Sequence, residues 1–393
     1  MFKQLLDKTL KTAVENGDIP GVIALVSNKT ETIYEAGFGI GNPTKSQPMN
    51  ADTVIWIASM SKAITSAAAM QLVERNQLSL DTYAENILPE LKNIKVLEGF
   101  SEDGLPILRP PKSKITVLHL LTHTAGFGYD IWHGQIRKFM KKTNIPSRST
   151  GKRESLLTPL MFDPGTRWEY SIGIDWVGLI VEKIARQTLG SYLKANIFEP
   201  LRMYSTGFLI DSNMKPRLAV MYKRELGILR ADPTFIMKQQ PDVESGGGGL
   251  YSTVNDYAIF LRMLLNNGKA FTQQILKAET IEEMFKNQIG ENQVVKLHSS
   301  YPAISRDAEF FPGIHKTWGL SFMINEEDTA TGRPAGSLGW AGLSNCYFWI
   351  DPLNDIAGIF GAQVLPFIDE KAFPLFNEFE KTVYRLIQGK IRL

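Results

Sequence analysis

Four serines in this sequence are each followed, three positions later, by a lysine, a spacing that can place an amine base beside a nucleophilic hydroxyl. These pairs are Ser59/Lys62, Ser149/Lys152, Ser191/Lys194 and Ser212/Lys215. Ser59 differs from the other serines because it follows the apolar run VIWIA (residues 54–58) and begins an alanine-rich helical segment. The others lie in a polar loop, at the start of a surface helix and in a turn. Ser59 is therefore the predicted nucleophile.

The position of Ser59 on a helix supports this choice. Residues three apart share a helix face, so Lys62 can reach the Ser59 hydroxyl. The N–H groups and partial positive charge of a helix N-terminus would stabilise an oxyanion formed there. Burial and the same dipole would lower the pKa of Lys62 and make it a usable base near neutral pH. On spacing alone, the alternative is that Ser59 only caps the helix and Lys62 extends its amine to solvent.

Tyr170 is the predicted third catalytic group, since an activated nucleophile and its base are usually supported by a further polar residue. It follows a turn signal at residues 164–165 and precedes an apolar helix predicted over residues 172–184. A phenol beside a cation loses its proton more easily. The alternative is a packed aromatic ring whose hydroxyl is hydrogen-bonded.

Other catalytic chemistries lack a motif in this sequence. Gly-x-Ser-x-Gly is absent, so a Ser-His-Asp triad has no support from the sequence. His119 and His123 have a spacing that can bind zinc, but no glutamate follows the first histidine. The glycine run at residues 246–249 lacks a following Gly-Lys-Ser/Thr and is expected to form a tight turn at a cleft. No metal and no cofactor are expected.

The composition sets broad limits. The 393 residues include 43 Lys+Arg and 41 Asp+Glu, and this net charge of +2 argues against a nucleic-acid partner. The single cysteine, Cys346, excludes an internal disulfide and a cysteine-based zinc site. No apolar stretch reaches eighteen residues, and the N-terminal segment lacks the apolar core of a signal peptide. We expect a cytoplasmic protein that does not bind membranes.

Strand signals occur near both ends of the chain. Apolar runs at residues 21–26 and 31–37 predict a hairpin whose turn is at residues 28–30. The middle of the chain, from about 60 to 290, has a mostly helical pattern broken by polar loops at residues 105–114 and 141–153. Helical segments are predicted at both termini, over residues 2–14 and 373–388. Strand signals return at residues 319–324, 336–341, 347–350 and 356–360.

This order of elements predicts an α+β fold with a discontinuous sheet domain. Residues 1–58 and 300–393 would share one antiparallel sheet flanked by helices. Residues 59–299 would form a mostly helical domain that carries the nucleophile at the interface. The active site is expected at this seam, where a cleft forms naturally.

Taken together, the motifs resemble the serine β-lactamase and penicillin-binding-protein superfamily, in its class C-like branch. Within it, the sequence is most similar to the family VIII carboxylesterases and the related fungal acyltransferases. The resemblance rests on segments that occur in the family's order, although each alone is not specific. These are IPGVIALV (19–26), SMSK (59–62), ITVLHLLTHTAGF (115–127), YS (170–171), GGGGLY (246–251) and GWAG (339–342). The resemblance implies a β-lactamase-like fold.

Two departures from β-lactamases carry information about the substrate. Ile172 stands where the tyrosine motif usually ends in asparagine, and Trp340-Ala341-Gly342 replaces Lys-Thr-Gly. A tryptophan at this position removes a cation that helps to bind a substrate carboxylate and adds a flat apolar wall. We therefore expect neutral, hydrophobic esters with short-to-medium acyl chains to be preferred over anionic β-lactams.

The resemblance also implies a mechanism of two acyl-transfer steps. Ser59, deprotonated by Lys62 with Tyr170, would attack the ester carbonyl to form an acyl-enzyme. The backbone N–H groups of Ser59 and Leu343 would hold the oxyanion. The residues expected to bind the substrate are Trp340, Gly342, Tyr129 and Trp132.

The leading functional hypothesis is a carboxylic ester hydrolase acting on a small-molecule ester. A β-lactamase or D-amino-acid peptidase is the nearest alternative, and the missing Lys-Thr-Gly argues against it. An acyltransferase with a carrier-bound or thioester donor is another alternative. An inactive binding protein is the fourth, and the intact Ser59, Lys62 and Tyr170 argue against it. The sequence leaves the oligomeric state open.

Overall fold

A computed structural model describes residues 2–389. Met1 and residues 390–393, which fall within the predicted domain bounds, lie outside the described residues. The helices are α1 (Phe2–Glu15), α2 (Ser61–Glu74), α3 (Val117–Leu121), α4 (Gly134–Thr143), α5 (Gly173–Ala185), α6 (Leu189–Leu193), α7 (Glu199–Leu201), α8 (Val254–Leu265), α9 (Ala278–Phe285) and α10 (Ala372–Ile387).

The strands fall into a long sheet and several short pairings. They are β1 (Gly21–Asn28), β2 (Thr32–Asn42), β3 (Gln47–Pro48), β4 (Ile55–Trp56), β5 (Val96–Phe100), β6 (Pro106–Arg109), β7 (Met221–Glu225), β8 (Ile228–Asp232), β9 (Tyr251–Ser252), β10 (Lys269–Ala270), β11 (Gln273–Gln274), β12 (Lys316–Trp318), β13 (Met323–Asn325), β14 (Ser337–Gly342), β15 (Cys346–Asp351), β16 (Ile356–Gly361) and β17 (Val364–Leu365).

An eight-stranded antiparallel sheet is the largest element, in the order β12-β13-β14-β15-β16-β1-β2-β3. Strand β1 pairs with β16 from Ile23 opposite Gly361 to Asn28 opposite Ile356, so the two ends of the chain meet inside one sheet. Every residue of β14, β15 and β16 is buried, which requires cover on both faces. The predicted α+β fold, with one antiparallel sheet flanked by helices, is confirmed.

Helices pack on this sheet from both terminal segments and from the middle of the chain. Helix α1 packs against α10 and against β1 and β2, whereas α8 packs against β1 and β16. Tyr347 of β15 stacks on Phe376 of α10 with ring centres 4.4 Å apart. The division into residues 1–58 with 300–393 and residues 59–299 remains a proposal, and α8 makes sheet contacts across it.

Helix α2 lies at the start of the segment 59–299 and begins two residues after Ser59, the predicted nucleophile. Its residues from Ser61 to Leu72 are all buried, and it packs against α5. The run Ala67-Ala68-Ala69 lets neighbouring elements approach closely because alanine side chains are small. Among the helices of residues 2–389, none has both the length and the hydrophobicity needed to cross a lipid bilayer.

Three local predictions were wrong. Residues 105–114 do not form a simple loop, because β6 pairs with β5 and Arg109 forms an ion pair with Asp163 at 2.7 Å. Helix α4 continues to Thr143 inside the predicted polar loop. The strand predicted over residues 319–324 begins only at Met323, in β13, because residues 319–322 form a tight turn between β12 and β13 that is closed by the pairing of Trp318 with Met323. In each case the observed conformation depends on contacts with other segments, and the local residue pattern does not show those contacts.

Candidate active site

Ser59 lies in a short 3-10 helix, Ala58–Met60, immediately before α2. The preceding residue, Ala58, has a φ of +45°, a left-handed conformation that is uncommon and costly for alanine. Its carbonyl oxygen accepts a hydrogen bond of 2.6 Å from the Ser61 hydroxyl, which in turn accepts one of 3.1 Å from the N–H of Leu250. These contacts hold the strained turn in place and direct Ser61 away from Ser59.

Lys62 is fully buried one turn after Ser59. Its Nζ lies 3.2 Å from Ser59 Oγ, 3.0 Å from Tyr129 Oη and 2.6 Å from the carbonyl oxygen of Gly247. Burial lowers the pKa of Lys62 to about 7, and the charge of Arg148 acts in the same direction. The structure thus places the predicted nucleophile and base in contact.

The other three Ser-x-x-Lys pairs have no such environment. Lys152, Lys194 and Lys215 are all exposed, so no burial penalty disfavours their charged form. The N-terminus of α6 is capped by Thr188, whose Oγ1 accepts a hydrogen bond from the N–H of Ser191. Ser191 itself lies inside this helix.

A glycine-rich segment forms the side of the site opposite Ser59. Gly247 accepts a hydrogen bond from Lys62, and its own N–H donates to Asp175 Oδ1 at 3.0 Å. A Cβ added to Gly247 would lie 2.7 Å from Asp175 Oδ2, so a side chain does not fit there. Asp175, on α5, was not predicted. The only sequence signal that could have pointed to Asp175 was the glycine run at residues 246–249, which this carboxylate supports.

Tyr170 is buried beside Lys62, whose Nζ lies 4.7 Å from the centre of the tyrosine ring. Trp340 donates a hydrogen bond of 2.9 Å from its Nε1 to Tyr170 Oη. Burial raises the pKa of Tyr170 well above its usual value, and hydrogen bonds with Ser59 and Trp340 oppose this only in part. The expectation of an easily ionised phenol was therefore wrong. Tyr170 is a neutral group whose proton is available for donation.

Tyr129 contacts the Lys62 amine, and the sequence did not predict this contact. It was expected only to line the pocket, yet its hydroxyl is 3.0 Å from Lys62 Nζ and its ring centre is 5.1 Å from that of Tyr170. Burial raises the pKa of Tyr129 as well. No local pattern distinguishes this tyrosine, because the contact joins residues 67 positions apart.

A cavity of about 520 Å³ opens beside Ser59. Tyr129 and Trp132, two of the residues expected to bind the substrate, line it, together with Leu343, the expected oxyanion donor. Further apolar lining residues come from separate loops and were not predicted. They are Trp56, Ile131, Phe235, Ile236, Met237 and Ile304. A mostly apolar wall with a few polar groups is typical of a small-molecule site.

Trp340 and Gly342 contribute to the site differently from what the sequence suggested. Among the described residues, neither lines this cavity. Trp340 is buried behind Tyr170 and packs edge-on against Trp318 at 4.6 Å, so it does not form the predicted flat wall. A Cβ added to Gly342 would clash with the carbonyl oxygen of Ile57. Glycine at this position lets the end of β14 approach the nucleophile segment, and the next residue, Leu343, reaches the cavity.

The histidines at positions 119 and 123 have structural contacts. His119 Nδ1 accepts the N–H of Thr116, and Thr116 Oγ1 accepts the N–H of His119, which closes a capping box on α3. His123 Nδ1 accepts the N–H of Ser171 at 3.2 Å, next to Tyr170. Within residues 2–389, no group of three or more potential metal ligands occurs.

Comparison with known proteins places this site in a family. The Beta-lactamase family model matches residues 6–373. The acyltransferase mokF of Monascus pilosus is 30% identical over 371 residues, which cover 90% of this chain and 89% of that protein. The lovastatin esterase of Penicillium rubens is 29% identical over 398 residues, which cover 97% of this chain and 98% of that protein. The structure of unliganded simvastatin synthase LovD from Aspergillus terreus has a TM-score of 0.84 and 28% identity, with 99% of both chains covered.

The chain belongs to the Beta-lactamase family. The resemblance to the serine β-lactamase and penicillin-binding-protein superfamily, and the β-lactamase-like fold that it implied, are confirmed. The protein is an enzyme of this superfamily, in a group whose named members include acyltransferases and an esterase.

Proposed function

We propose that this protein is a carboxylic ester hydrolase that acts through an acyl-enzyme at Ser59. The observation that carries the proposal is the 3.2 Å distance between Ser59 Oγ and Lys62 Nζ. Because the pKa of Lys62 is about 7, much of the amine is uncharged at neutral pH and can accept the serine proton. No histidine is needed for this activation.

The first step forms the acyl-enzyme. Lys62 takes the proton of Ser59 while Oγ bonds to the ester carbonyl carbon, and the backbone N–H groups of Ser59 and Leu343 stabilise the oxyanion. Collapse of this intermediate breaks the bond to the alcohol. Tyr170 is suited to protonate the leaving oxygen because its own oxygen already accepts a hydrogen bond from Trp340. Lys62, whose Nζ lies 4.7 Å from the centre of the Tyr170 ring, then returns the proton taken from Ser59 to Tyr170.

The second step releases the acyl group. Water attacks the acyl carbon, again with Lys62 as the base, and the carboxylic acid leaves as Ser59 recovers its proton. The apolar wall of the cavity supports a hydrophobic acyl chain, and its volume of about 520 Å³ suits a small molecule.

Acyl transfer to an alcohol is the second candidate function. Close relatives carry the names acyltransferase and synthase, and the same acyl-enzyme serves both reactions if an alcohol takes the place of water. Water and alcohol then compete for one intermediate, so the ratio of the two products separates the functions.

The hydrolase proposal is tested with p-nitrophenyl esters of two to eight acyl carbons, together with a chromogenic cephalosporin and a D-Ala-D-Ala peptide. We expect ester hydrolysis by the wild type and its loss in Ser59→Ala. Ser212→Ala is the matched control, because Ser212 also precedes a lysine by three positions but is exposed. Hydrolysis that survives Ser59→Ala would remove Ser59 from the mechanism, and preferential turnover of the cephalosporin or peptide would favour the alternative classes.

The transferase candidate is tested by adding a primary alcohol to the same assay and measuring both products. If the new ester forms faster than the free acid at alcohol concentrations far below that of water, acyl transfer is the main activity. If acid remains the main product, hydrolysis is the main activity.

A further inference from the structure

Arg148 presents an unpaired guanidinium group to the catalytic cavity. It lies in the 3-10 turn Arg148–Thr150 and lines the cavity together with Ser147 and Ser149. Its guanidinium carbon lies 4.2 Å from the centre of the Tyr129 ring. Its Nε is buried without a hydrogen-bond partner. Within residues 2–389, this side chain makes neither an ion pair nor a hydrogen bond.

The arginines that are buried within residues 2–389 are paired, whereas Arg148 is half-buried. Arg224 donates two hydrogen bonds to Asp369, at 2.6 and 3.1 Å. Arg333 donates two to Glu380, both at 2.7 Å. Arg148 differs from these arginines because it lacks a protein partner among the described residues. Burial of its unpaired Nε atom is unfavourable, since a polar nitrogen loses its hydrogen bonds to water there and gains none in return. A partner from outside the chain would remove this cost.

The nearby carboxylates do not supply the missing partner. Asp130 lines the same cavity and Asp175 lies beneath the glycine-rich segment, and both attract Arg148 only through longer-range electrostatics. Asp175 Oδ1 already accepts hydrogen bonds from Ser245 and Gly247. Asp232, a third carboxylate of the cavity lining, is bonded to Lys223 at 2.7 Å.

We infer that Arg148 binds a carboxylate group of the substrate, away from the ester carbonyl that reacts with Ser59. This inference rests on the proposed ester hydrolysis. A planar guanidinium group can donate two parallel hydrogen bonds to a carboxylate. Tyr129 contacts both cations, because the Arg148 guanidinium carbon lies 4.2 Å from the centre of its ring and Lys62 Nζ lies 3.0 Å from its hydroxyl. The proposed carboxylate site therefore adjoins the nucleophile and its base.

The substrate class is therefore an ester that carries a free carboxylic acid. The acid can belong to the acyl part, as in the monoester of a dicarboxylic acid, or to the alcohol part, as in an acyloxy acid. This conclusion replaces the sequence-based expectation of neutral esters, which considered only the lysine lost at position 340. Arg148 belongs to none of the motifs and supplies a cation from another side of the cavity.

Two pairs of esters test the inference and distinguish the two sources of the carboxylate. The acyl pair is p-nitrophenyl adipate monoester and its neutral methyl diester. The alcohol pair is 3-(butanoyloxy)benzoate and its methyl ester. We expect the ratio of kcat/KM for the acid to kcat/KM for the neutral ester to be at least about tenfold lower in Arg148→Gln than in the wild type for one of the two pairs, the scale of a hydrogen-bonded charge. The pair that responds identifies the part of the ester that carries the carboxylate. Arg148→Lys keeps the charge but not the planar group and should lose less.

Arg167→Gln is the control for a general change of charge, since Arg167 is exposed and does not line the cavity. Its acid-over-neutral ratios should stay within about twofold of the wild type. Ratios that are the same in the wild type and Arg148→Gln for both pairs would overturn the inference, even where Ser59 proves essential. Failure of the wild type to hydrolyse any of the four esters would count against the proposed function instead.

Calorimetry in the Ser59→Ala background, in which no acyl-enzyme forms, tests the same contact without turnover. The acid of the ester pair that responds in the kinetic assay should bind Ser59→Ala at least about tenfold more tightly than Ser59→Ala combined with Arg148→Gln, and its neutral methyl ester should show no such difference. Equal affinities of both acids, p-nitrophenyl adipate monoester and 3-(butanoyloxy)benzoate, for the two proteins would contradict the inference. Matching circular dichroism spectra would establish that the variant is folded.

Discussion

The Lys62 amine is the group on which the proposed chemistry depends. Its surroundings remove it from water, and its hydrogen-bond acceptors are Ser59 Oγ, Tyr129 Oη and the carbonyl oxygen of Gly247. Burial and the Arg148 charge lower its pKa, whereas Asp175 raises it. The balance leaves an amine that is uncharged in part at neutral pH, as a general base requires.

The first prediction concerns the pH dependence of kcat/KM. Because only the uncharged amine of Lys62 accepts a proton, activity should rise with pH through about 7 and fall about tenfold per pH unit below it. Loss of the Arg148 charge removes one cause of the low pKa of Lys62. The acid limb of Arg148→Gln should therefore lie at higher pH than that of the wild type, as measured with a neutral p-nitrophenyl ester.

Glu169→Gln is the control for this profile. Glu169 stands next to Tyr170, and burial raises the pKa of its carboxyl to about 7, so it titrates in the same range. The acid limb should remain in Glu169→Gln. If kcat/KM becomes independent of pH in this variant, the acid limb is caused by the titration of Glu169 and not by that of Lys62.

The second prediction concerns the hydrogen bond from Trp340 to Tyr170. Trp340→Phe removes the donor that orients the tyrosine hydroxyl, so kcat should fall about three- to tenfold, the kinetic equivalent of one ordinary hydrogen bond. Trp318→Phe is the matched control, because Trp318 is a buried neighbour whose Nε1 has no hydrogen-bond partner. Equal losses in the two variants would indicate that packing, and not the hydrogen bond, is responsible.

The end of β14 determines how the nucleophile and the oxyanion donor meet. Gly342 contacts the backbone of Ile57, two residues before Ser59, and Leu343 follows at the cavity. The close approach of β14 to the nucleophile segment therefore requires glycine at position 342, because any side chain there would meet the backbone of Ile57. A strand that carried a larger residue here would be displaced from the turn that holds Ser59.

The third prediction tests this close approach. The methyl group of Gly342→Ala would clash with the carbonyl oxygen of Ile57 and displace the N–H of Leu343. We expect kcat/KM to fall at least about a hundredfold, the usual cost of one oxyanion-hole donor. The control is Gly134→Ala, since a Cβ there meets its nearest atom at 3.9 Å. A near-normal rate in Gly342→Ala would exclude Leu343 as an oxyanion donor.

The molecule as a whole is closed by contacts between its distant segments. The sheet joins β1 to β16, and a buried ion pair joins Arg333, which precedes β14, to Glu380 on α10. Both side chains of this pair are almost fully inaccessible to solvent. Such a pair holds α10 against the loop that precedes β14.

The fourth prediction concerns the stability of this closure. Arg333→Met leaves the Glu380 carboxylate buried without its cation, which should lower the free energy of unfolding by about 3–5 kcal/mol. Arg333→Met combined with Glu380→Leu should recover most of that loss, because no buried charge is left unpaired. Urea unfolding at neutral pH measures both. Additive losses in the double variant would contradict this explanation.

A surface pair provides the comparison. Lys11 and Glu15 form an ion pair of 3.4 Å on α1, with both side chains largely exposed. Lys11→Met should give little measurable change in urea unfolding, because solvent screens exposed pairs. A large loss there would show that α1, and not burial of charge, limits the stability.

The sequence alone determined the features that depend on neighbours along the chain. The contact between Ser59 and Lys62 follows from helical spacing, and the β1–β2 hairpin follows from two apolar runs around a polar turn. The ordered motifs also predicted the family and its fold, because they occur together in a fixed order.

Only the tertiary structure decided which groups surround this pair. Tyr129 meets Lys62 across 67 positions of sequence, and Trp340 meets Tyr170 across 170. Arg148 reaches the cavity from a polar segment that resembles any solvated loop. Such contacts, and the burial that changes the pKa values of Lys62 and Tyr170, arise from the packing of separate segments, and local residue patterns do not encode that packing.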